Sequence, residues 1–289
     1  MPSSRDIKRR IRSVKSTQQI TKAMEMVSAA KLRKAQMRAE QARPYRGKLE
    51  LILSNISAAV VRPDQPPPHP FFQARTPVKK STLILVTADR GLCGSFNAYL
   101  IRRALVFLKD YNPANVELIC IGKRGYDWFR KRQWPIAAKH LDFGGTIGFA
   151  RVRAIAADLT ARFRSGETDE VHLIYTRFIT TARSSVTQSQ YLPIKPHEGR
   201  ADKSSDYIFE PAPAAIFADL MPRYATTLLQ SALAESFASE HAARMMAMGA
   251  ATSAAGDMID TLTLQYNKAR QAAITKELLD IVGGAEALR

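Results

Sequence analysis

The chain of 289 residues contains two cysteines, two tryptophans and no long apolar run. Cys93 and Cys120 are too few for a disulfide-rich secreted scaffold and too far apart for a CxxC pair. A reducing, cytosolic environment is expected. No stretch approaches the ~18 consecutive apolar residues that a membrane-spanning helix needs, so no direct membrane insertion is expected. The start, Met1-Pro2-Ser3-Ser4-Arg5-Asp6, lacks the apolar core of a secretory signal. The helical pattern begins by Asp6, which leaves nothing for a transit peptide to occupy. The histidines (His69, His140, His172, His197, His241) are scattered, and none forms HExxH or an equivalent, so no metal is expected.

Acidic residues are also scarce. There are 43 Lys+Arg against 26 Asp+Glu, a formal net charge of +17. The excess is uneven. Residues 1–48 carry 14 basic and 3 acidic side chains, whereas residues 223–289 carry 6 and 7. A basic end of this kind suits nucleic acid, an anionic membrane or an acidic protein partner, or is simply a solvated face. The membrane reading is the weakest, because the segment has no Trp or Phe to embed.

Proline is absent between Ser3 and Arg43, and again from Arg223 to Arg289. Both stretches read as helix. Ile7, Ile11 and Val14 fall at spacings of four and three, as do Ile20, Met24 and Val27, and then Leu49, Leu53, Ile56 and Val60. This predicts one helix over about Ser4–Val61, kinked or loosened at Pro44. Met258, Leu262, Tyr266, Ala269 and Ala273 keep the same period near the other end, and so do Ile274, Leu278 and Ile281. A helix over most of 223–289 would be on the order of 90 Å long. A globular domain cannot bury such a rod, so it must run along something equally long, and the N-terminal helix is the only candidate. The expected fold is α/β, with an antiparallel coiled coil of the two terminal helices and a Rossmann-like α/β domain inserted between them. Ala242, Ala243, Ala247, Ala250, Ala251, Ala254 and Ala255 allow close helix approach. Gly249 and Gly256, each costing roughly 1 kcal/mol of helix propensity, suggest tight packing or a bend.

The predicted divisions are 1–61 for the first helix, 62–77 for a proline-rich linker, 78–210 for the α/β domain and 211–289 for the second helix. In the middle, strands are expected near 83–87, 116–121 and from 171. Helices are expected over 98–109 with Asn97 as cap, 126–132 and 147–164. This alternation points to βαβ units and a mainly parallel sheet.

Chemistry is hard to find. Thr87-Ala88-Asp89-Arg90-Gly91-Leu92-Cys93-Gly94-Ser95-Phe96-Asn97 follows a strand and precedes a helix, where phosphate loops occur. Its glycines fit neither GxGxxG nor GxxxxGK[ST], and no lysine is placed to reach a phosphate. Cys93 has no histidine near it in sequence. No catalytic residue and no cofactor are expected.

Thr17-Gln18-Gln19-Ile20-Thr21-Lys22-Ala23-Met24-Glu25-Met26-Val27-Ser28-Ala29-Ala30-Lys31 resembles the N-terminal signature of the gamma subunit of F-type ATP synthases. Tyr266-Asn267-Lys268-Ala269-Arg270-Gln271-Ala272-Ala273-Ile274-Thr275-Lys276-Glu277-Leu278, continued by Ile281-Val282-Gly283-Gly284-Ala285, resembles its C-terminal signature. Asp89-Arg90-Gly91-Leu92-Cys93-Gly94 is similar to its mid-chain motif, although Ser95 stands where the family often has glycine.

The resemblance implies a non-catalytic rotor. Its coiled coil would stand inside a ring of three alpha and three beta subunits. Its α/β domain would be the foot on the membrane c-subunit ring, beside the epsilon subunit. On this basis Lys22, Met24, Arg270, Gln271, Thr275 and Glu277 would contact the alpha/beta ring. Ile281, Val282, Gly283, Gly284 and Ala285 would run in an apolar bearing, and Tyr207 and Glu210 would lie near the foot contact. The chain lacks the cysteine insertion of chloroplast members, so thiol regulation is not implied. The expected location is the cytoplasmic face of a bacterial plasma membrane. The alternative from charge alone is a basic coiled-coil nucleic-acid binder. It explains neither the near-neutral C-terminal rod nor the single aromatic, Tyr45, of the basic segment.

Overall fold

The computed structural model describes residues 4–60, 69–144, 148–194, 210 and 212–286. Helix α1 (Ser4–Val60) and helix α5 (Pro213–Glu286) bracket an α/β segment. In chain order that segment contains β1 (Ser81–Val86), α2 (Phe96–Leu108), β2 (Val116–Ile121), α3 (Lys123–Arg130) and β3 (Ile136–His140). It continues with α4 (Phe149–Ser165), β4 (Glu170–Phe178) and β5 (Ser184–Leu192). The helix assignment of α1 runs through Pro44, and α5 starts ten residues before Arg223 and contains Pro222. Residues 61–68, which include the start of the proline-rich connector, lie outside the described residues. Its described end is a 3-10 turn, Pro70–Phe72, in which the His69 side chain accepts a hydrogen bond from the Phe71 amide at 3.2 Å.

The chain divides into two compact units: Met1–Ser28 with Arg244–Arg289, and Ala29–Ala243. The larger unit holds a five-stranded sheet in the order β3-β2-β1-β4-β5. The first four strands are parallel, and β5 runs antiparallel to β4. Parallel strands need covered faces, and β1 and β2 are buried along their whole length. On one face Ile84, Val86, Ile119 and Ile121 join Val152, Ile155, Leu159 and Phe163 of α4. The same core takes in Leu49, Leu53 and Ile56 of α1 and Phe217, Leu229, Leu233 and Phe237 of α5. On the other face Leu83, Leu85, Leu118 and Cys120 pack on Phe96, Leu100, Ala104 and Phe107 of α2 and on Phe129 of α3. Here α1 and α5 are also joined by a polar contact: Arg46, whose Nε lies 2.8 Å from Glu50 on its own helix, donates from Nη1 to Ser231 of α5 at 3.2 Å.

The expected strands and helices are present, with two additions, β3 and β5. One local expectation fails. Asn97 is not the cap of α2 but lies inside it, with Ser95 at the cap position. The Asn97 Oδ1 accepts from the Ala88 amide at 2.9 Å, and its Nδ2 donates to Cys93 Sγ at 3.1 Å. It pins the end of β1 rather than the start of its own helix.

Charged groups at the opposite end of the sheet are paired. Glu117 sits 3.0 Å from Lys80 Nζ and accepts from Thr82 Oγ1 at 3.0 Å. The facing imidazole of His172, with the Ser81 and Tyr111 hydroxyls, holds the Glu170 carboxyl down at about 2, against the opposing effect of burial.

The crossover after β2 requires glycine. Gly122 has φ +98°, and a Cβ there would lie 2.0 Å from the Thr87 carbonyl oxygen. Gly122→Ala should therefore destabilise the larger unit by about 2–4 kcal/mol, from an unfavourable φ plus a backbone clash. Urea unfolding checks this, and a loss under about 0.5 kcal/mol would show that the turn relaxes freely.

Candidate functional site

The crevice beyond the carboxyl ends of the parallel strands is where a doubly wound sheet would bind a ligand. Here an internal carboxylate occupies its amide donors. Asp89 Oδ1 accepts from the Lys123 amide at the start of α3 and from the Asp142 amide, each at 3.1 Å. Its Oδ2 accepts from the Gly144 amide at 3.0 Å. Nearby, Thr87 Oγ1 accepts from the Gly125 amide at 2.9 Å, and a Cβ on Gly125 would meet that hydroxyl at 2.9 Å. A phosphate placed there would have to displace a side chain already matched to the same donors. Cys93 is buried in the α2 core, so its thiol packs rather than reacts. Among the described residues no group of three or more potential ligand side chains is arranged to hold a metal ion.

The informative surface is in the smaller unit, where α1 and α5 pair antiparallel. Thr252 Oγ1 donates to Thr21 Oγ1 at 2.8 Å, and Gln18 Nε2 reaches the Thr252 carbonyl at 3.5 Å. A Cβ on Gly249 would lie 3.6 Å from the Glu25 carboxyl carbon, and one on Gly256 would lie 3.2 Å from Gln18 Nε2. The close neighbours of these glycines are thus polar side chains of α1. Ala255 and Met248 are buried, as is Ile7 near the start of α1.

The seam differs from the predicted one. Ile20 and Val27 are 57% and 56% exposed, and Met24 is only half-buried. Thr21 and Ser28 are the buried residues, at 9% and 3%. Each hydroxyl on this face also has a carbonyl of its own helix within donating distance: Gln18 for Thr21, Met24 for Ser28 and Met248 for Thr252, whose one proton is shared between that carbonyl and Thr21. Small hydroxylated residues can therefore line the seam without orphaned polar groups, while the larger apolar side chains face outward.

The same correction applies further along α5. Carrying the register of Thr21 with Thr252 to the first described turn of α1 sets Ser4 opposite about residue 270. Every residue from Arg270 to Leu279 is exposed. Ile274 and Leu278, expected in the coiled-coil seam, are 49% and 58% exposed and lie beyond the level of the first described turn of α1. At about 100° per residue, Arg270, Gln271, Ile274, Thr275, Glu277, Leu278 and Ile281 fall within one half of the helix circumference. Sequence periodicity thus grouped these residues on one face correctly but placed that face in a seam that does not cover it.

Of the residues singled out in the sequence, Lys22 is exposed and lies 3.2 Å from Glu25, and Met24 lies beside it on α1. Thr275 donates its hydroxyl to the Gln271 carbonyl at 3.0 Å. Ile281 is exposed, and Val282, Gly283, Gly284 and Ala285 fall in the last turns of α5. The side chains from Val282 onward lie outside the described residues, as does Tyr207, whereas Glu210 is exposed. The role of Asp89 as an internal anion was missed. Its signal was an aspartate three residues beyond an apolar strand, before a glycine turn.

The fold is thus an α/β sheet whose crevice is filled by its own Asp89, joined in sequence to a helical pair with an apolar and charged outward face. Comparisons with known proteins identify the family. A family model described as ATP synthase matches residues 3–288. The gamma chain of ATP synthase from Moorella thermoacetica is 46% identical over 290 residues, covering all of both chains. That of Heliobacterium modesticaldum is 44% identical over 296 residues, again covering both completely. Among solved structures, a chain of the Euglena gracilis mitochondrial ATP synthase aligns with a TM-score of 0.67 at 21% identity, over 99% of this chain and 94% of that one. A central-stalk chain of the Tetrahymena thermophila enzyme aligns at 0.60 and 24%, over 80% and 99%. The chain belongs to the ATP synthase gamma-chain family. Nothing in the fold or among these relatives supports the nucleic-acid reading. Among the described residues no helix is long and apolar enough to cross a membrane.

The two apolar stripes separate in their expected effect on stability. Ile7→Asp, at a buried seam position, should cost about 2–4 kcal/mol. Ile274→Glu and Leu278→Glu should each change stability by less than about 0.5 kcal/mol in the isolated chain. Thermal melting distinguishes them, and a large loss at Ile274 would mean that α5 is covered there by its own chain.

Proposed function

We propose that this chain is the central-stalk rotor of an F-type ATP synthase, itself without a catalytic site. Ion flow through the membrane c-subunit ring turns it, and its asymmetric surface drives the nucleotide sites of three alpha and three beta subunits through their binding states. The α/β segment, residues 78–210, serves as the foot on the c ring beside the epsilon subunit. Glu210, and Tyr207 outside the described residues, belong to that contact. The complex sits at the cytoplasmic face of a bacterial plasma membrane, with this chain attached peripherally.

The observation that carries the reading is the bare half-circumference of α5 beyond the start of α1. Arg270, Gln271, Thr275 and Glu277 offer directional contacts to the ring there, and Lys22 and Met24 offer them from α1. Ile281, Val282, Gly283, Gly284 and Ala285 have no side-chain donors or acceptors, which suits a surface that must turn inside an apolar sleeve. Driving a site from 1:99 to 99:1 between two conformations takes about 5.5 kcal/mol of differential interaction. Two to four charge-assisted contacts of about 1.5–3 kcal/mol, made in one orientation only, are enough. The basic first helix adds long-range attraction to acidic ring loops.

A tagged chain expressed in its own cells should bring down two kinds of larger nucleotide-binding subunit in equal number. Recovery of the chain alone would remove the proposal. Within the assembled complex, Arg270→Ala should lower ATP synthesis about tenfold or more while leaving subunit composition intact, since one charge-assisted contact is lost. An unchanged synthesis rate would exclude a ring contact at Arg270.

A further inference from the structure

The larger unit has a groove of about 650 Å³ that the rotor reading does not use. Helix α4 lines one side and residues 218–230 of α5 the other, together with Phe71 and Tyr45. The helices run antiparallel. At one end Phe163 of α4 packs on Phe71 at 6.3 Å, and Phe72 packs on Phe217 of α5 at 5.6 Å. At the other end Arg151 of α4 covers the Phe143 ring at 4.0 Å, and Phe143 packs on Phe237 at 5.8 Å.

The lining mixes apolar and polar side chains, and its charged groups are three arginines and one aspartate. Phe149 and Tyr45 contribute rings that are 58% and 55% exposed. Arg153 and Arg164 lie on the same face of α4, eleven residues and thus ~16 Å apart along its axis. Both are exposed, and neither has an ion-pair or hydrogen-bond partner among the described residues. On the opposite wall Arg223 is already neutralised by Asp219 at 3.0 Å. Among the described residues the groove therefore carries two uncompensated positive charges along α4, with the Phe149 ring one turn beyond Arg153 and the Tyr45 ring also in the lining.

We infer that this groove docks an acidic, amphipathic segment of another protein subunit, with carboxylates that meet Arg153 and Arg164 and apolar side chains that cover Phe149 and Tyr45. Three features select this occupant. A single small anion cannot bridge two guanidinium groups ~16 Å apart, whereas a helix with acidic residues eleven positions apart spans that distance. A groove between two helices is the usual seat for an amphipathic segment. Exposed aromatics beside free arginines are the side chains most enriched where protein interfaces bind strongly. The inference rests on the chain working inside an ATP synthase complex, but it concerns a surface separate from the α5 stripe.

The test replaces Phe149 with the photo-crosslinker p-benzoylphenylalanine, irradiates the purified intact complex and sequences the adduct. The expected adduct is on a different polypeptide, in a segment with at least two Asp or Glu residues at helical spacing and apolar residues between them. Arg153→Glu with Arg164→Glu should cut its yield about tenfold, and Arg153→Lys with Arg164→Lys less than about twofold, because charge rather than bidentate geometry is being read. If charge reversal impairs assembly, raising salt to about 0.5 M supplies the second measurement and should lower the yield in the otherwise unaltered complex. An adduct within this chain, on lipid or on a neutral or basic segment overturns the inference. So does a yield indifferent to both reversal and salt. A complex that assembles and makes ATP but gives no adduct also overturns it, and leaves the rotor reading standing.

Discussion

The pairing of α1 with α5 is the constraint on which the remainder depends, and it is met differently in the two units. In the larger unit it is a hydrophobic problem. Leu49, Leu53 and Ile56 share a core with Leu229, Leu233 and Phe237, and that core also closes one face of the sheet. The α/β segment and the helix pair there are one packed body, so neither can be loosened without exposing the other. In the smaller unit the pairing is narrow. Ile7, Thr21, Ser28, Met248 and Ala255 are buried, and most larger apolar side chains point away. Hydrophobic burial alone does not fix a seam of that composition. The Thr21–Thr252 bond and the Gln18 contact set its register instead.

The sheet illustrates how a fold can be kept while its usual site is not. Doubly wound sheets bind ligands where strand order reverses, beyond the carboxyl ends. In this chain the amides available there converge on Asp89, and Gly122 and Gly125 draw the next crossover tight against Thr87. The crevice has become a fastening between loops. Fold resemblance to nucleotide-binding domains therefore carries no functional weight by itself.

Much of this was legible in the sequence, and the failures have physical causes. Both long helices, the central strands and the parallel crossovers follow from proline spacing and apolar periodicity. Strand β3 escaped notice because Ile136-Ala137-Ala138-Lys139-His140 is a half-buried edge with two alanines, and β5 because Ser184–Leu192 is largely polar. Asn97 has the right residue type for a cap, but its amide reaches nine residues back to Ala88, which local spacing cannot reveal. The deeper error concerned Ile20, Val27, Ile274 and Leu278. Periodicity shows that apolar residues share a face, and it is silent on whether the chain itself or a partner covers that face. Here the covered seam was marked by threonine, serine and glycine, which carry no hydrophobic signal.

The hydroxyls of that seam have a mechanical consequence. Thr21, Ser28 and Thr252 each have a carbonyl of their own helix within donating distance, so each retains an acceptor if a small axial displacement of one helix against the other breaks the Thr21–Thr252 bond. Interlocked leucines would have to climb over one another, whereas this contact yields by exchanging near-equivalent neighbours.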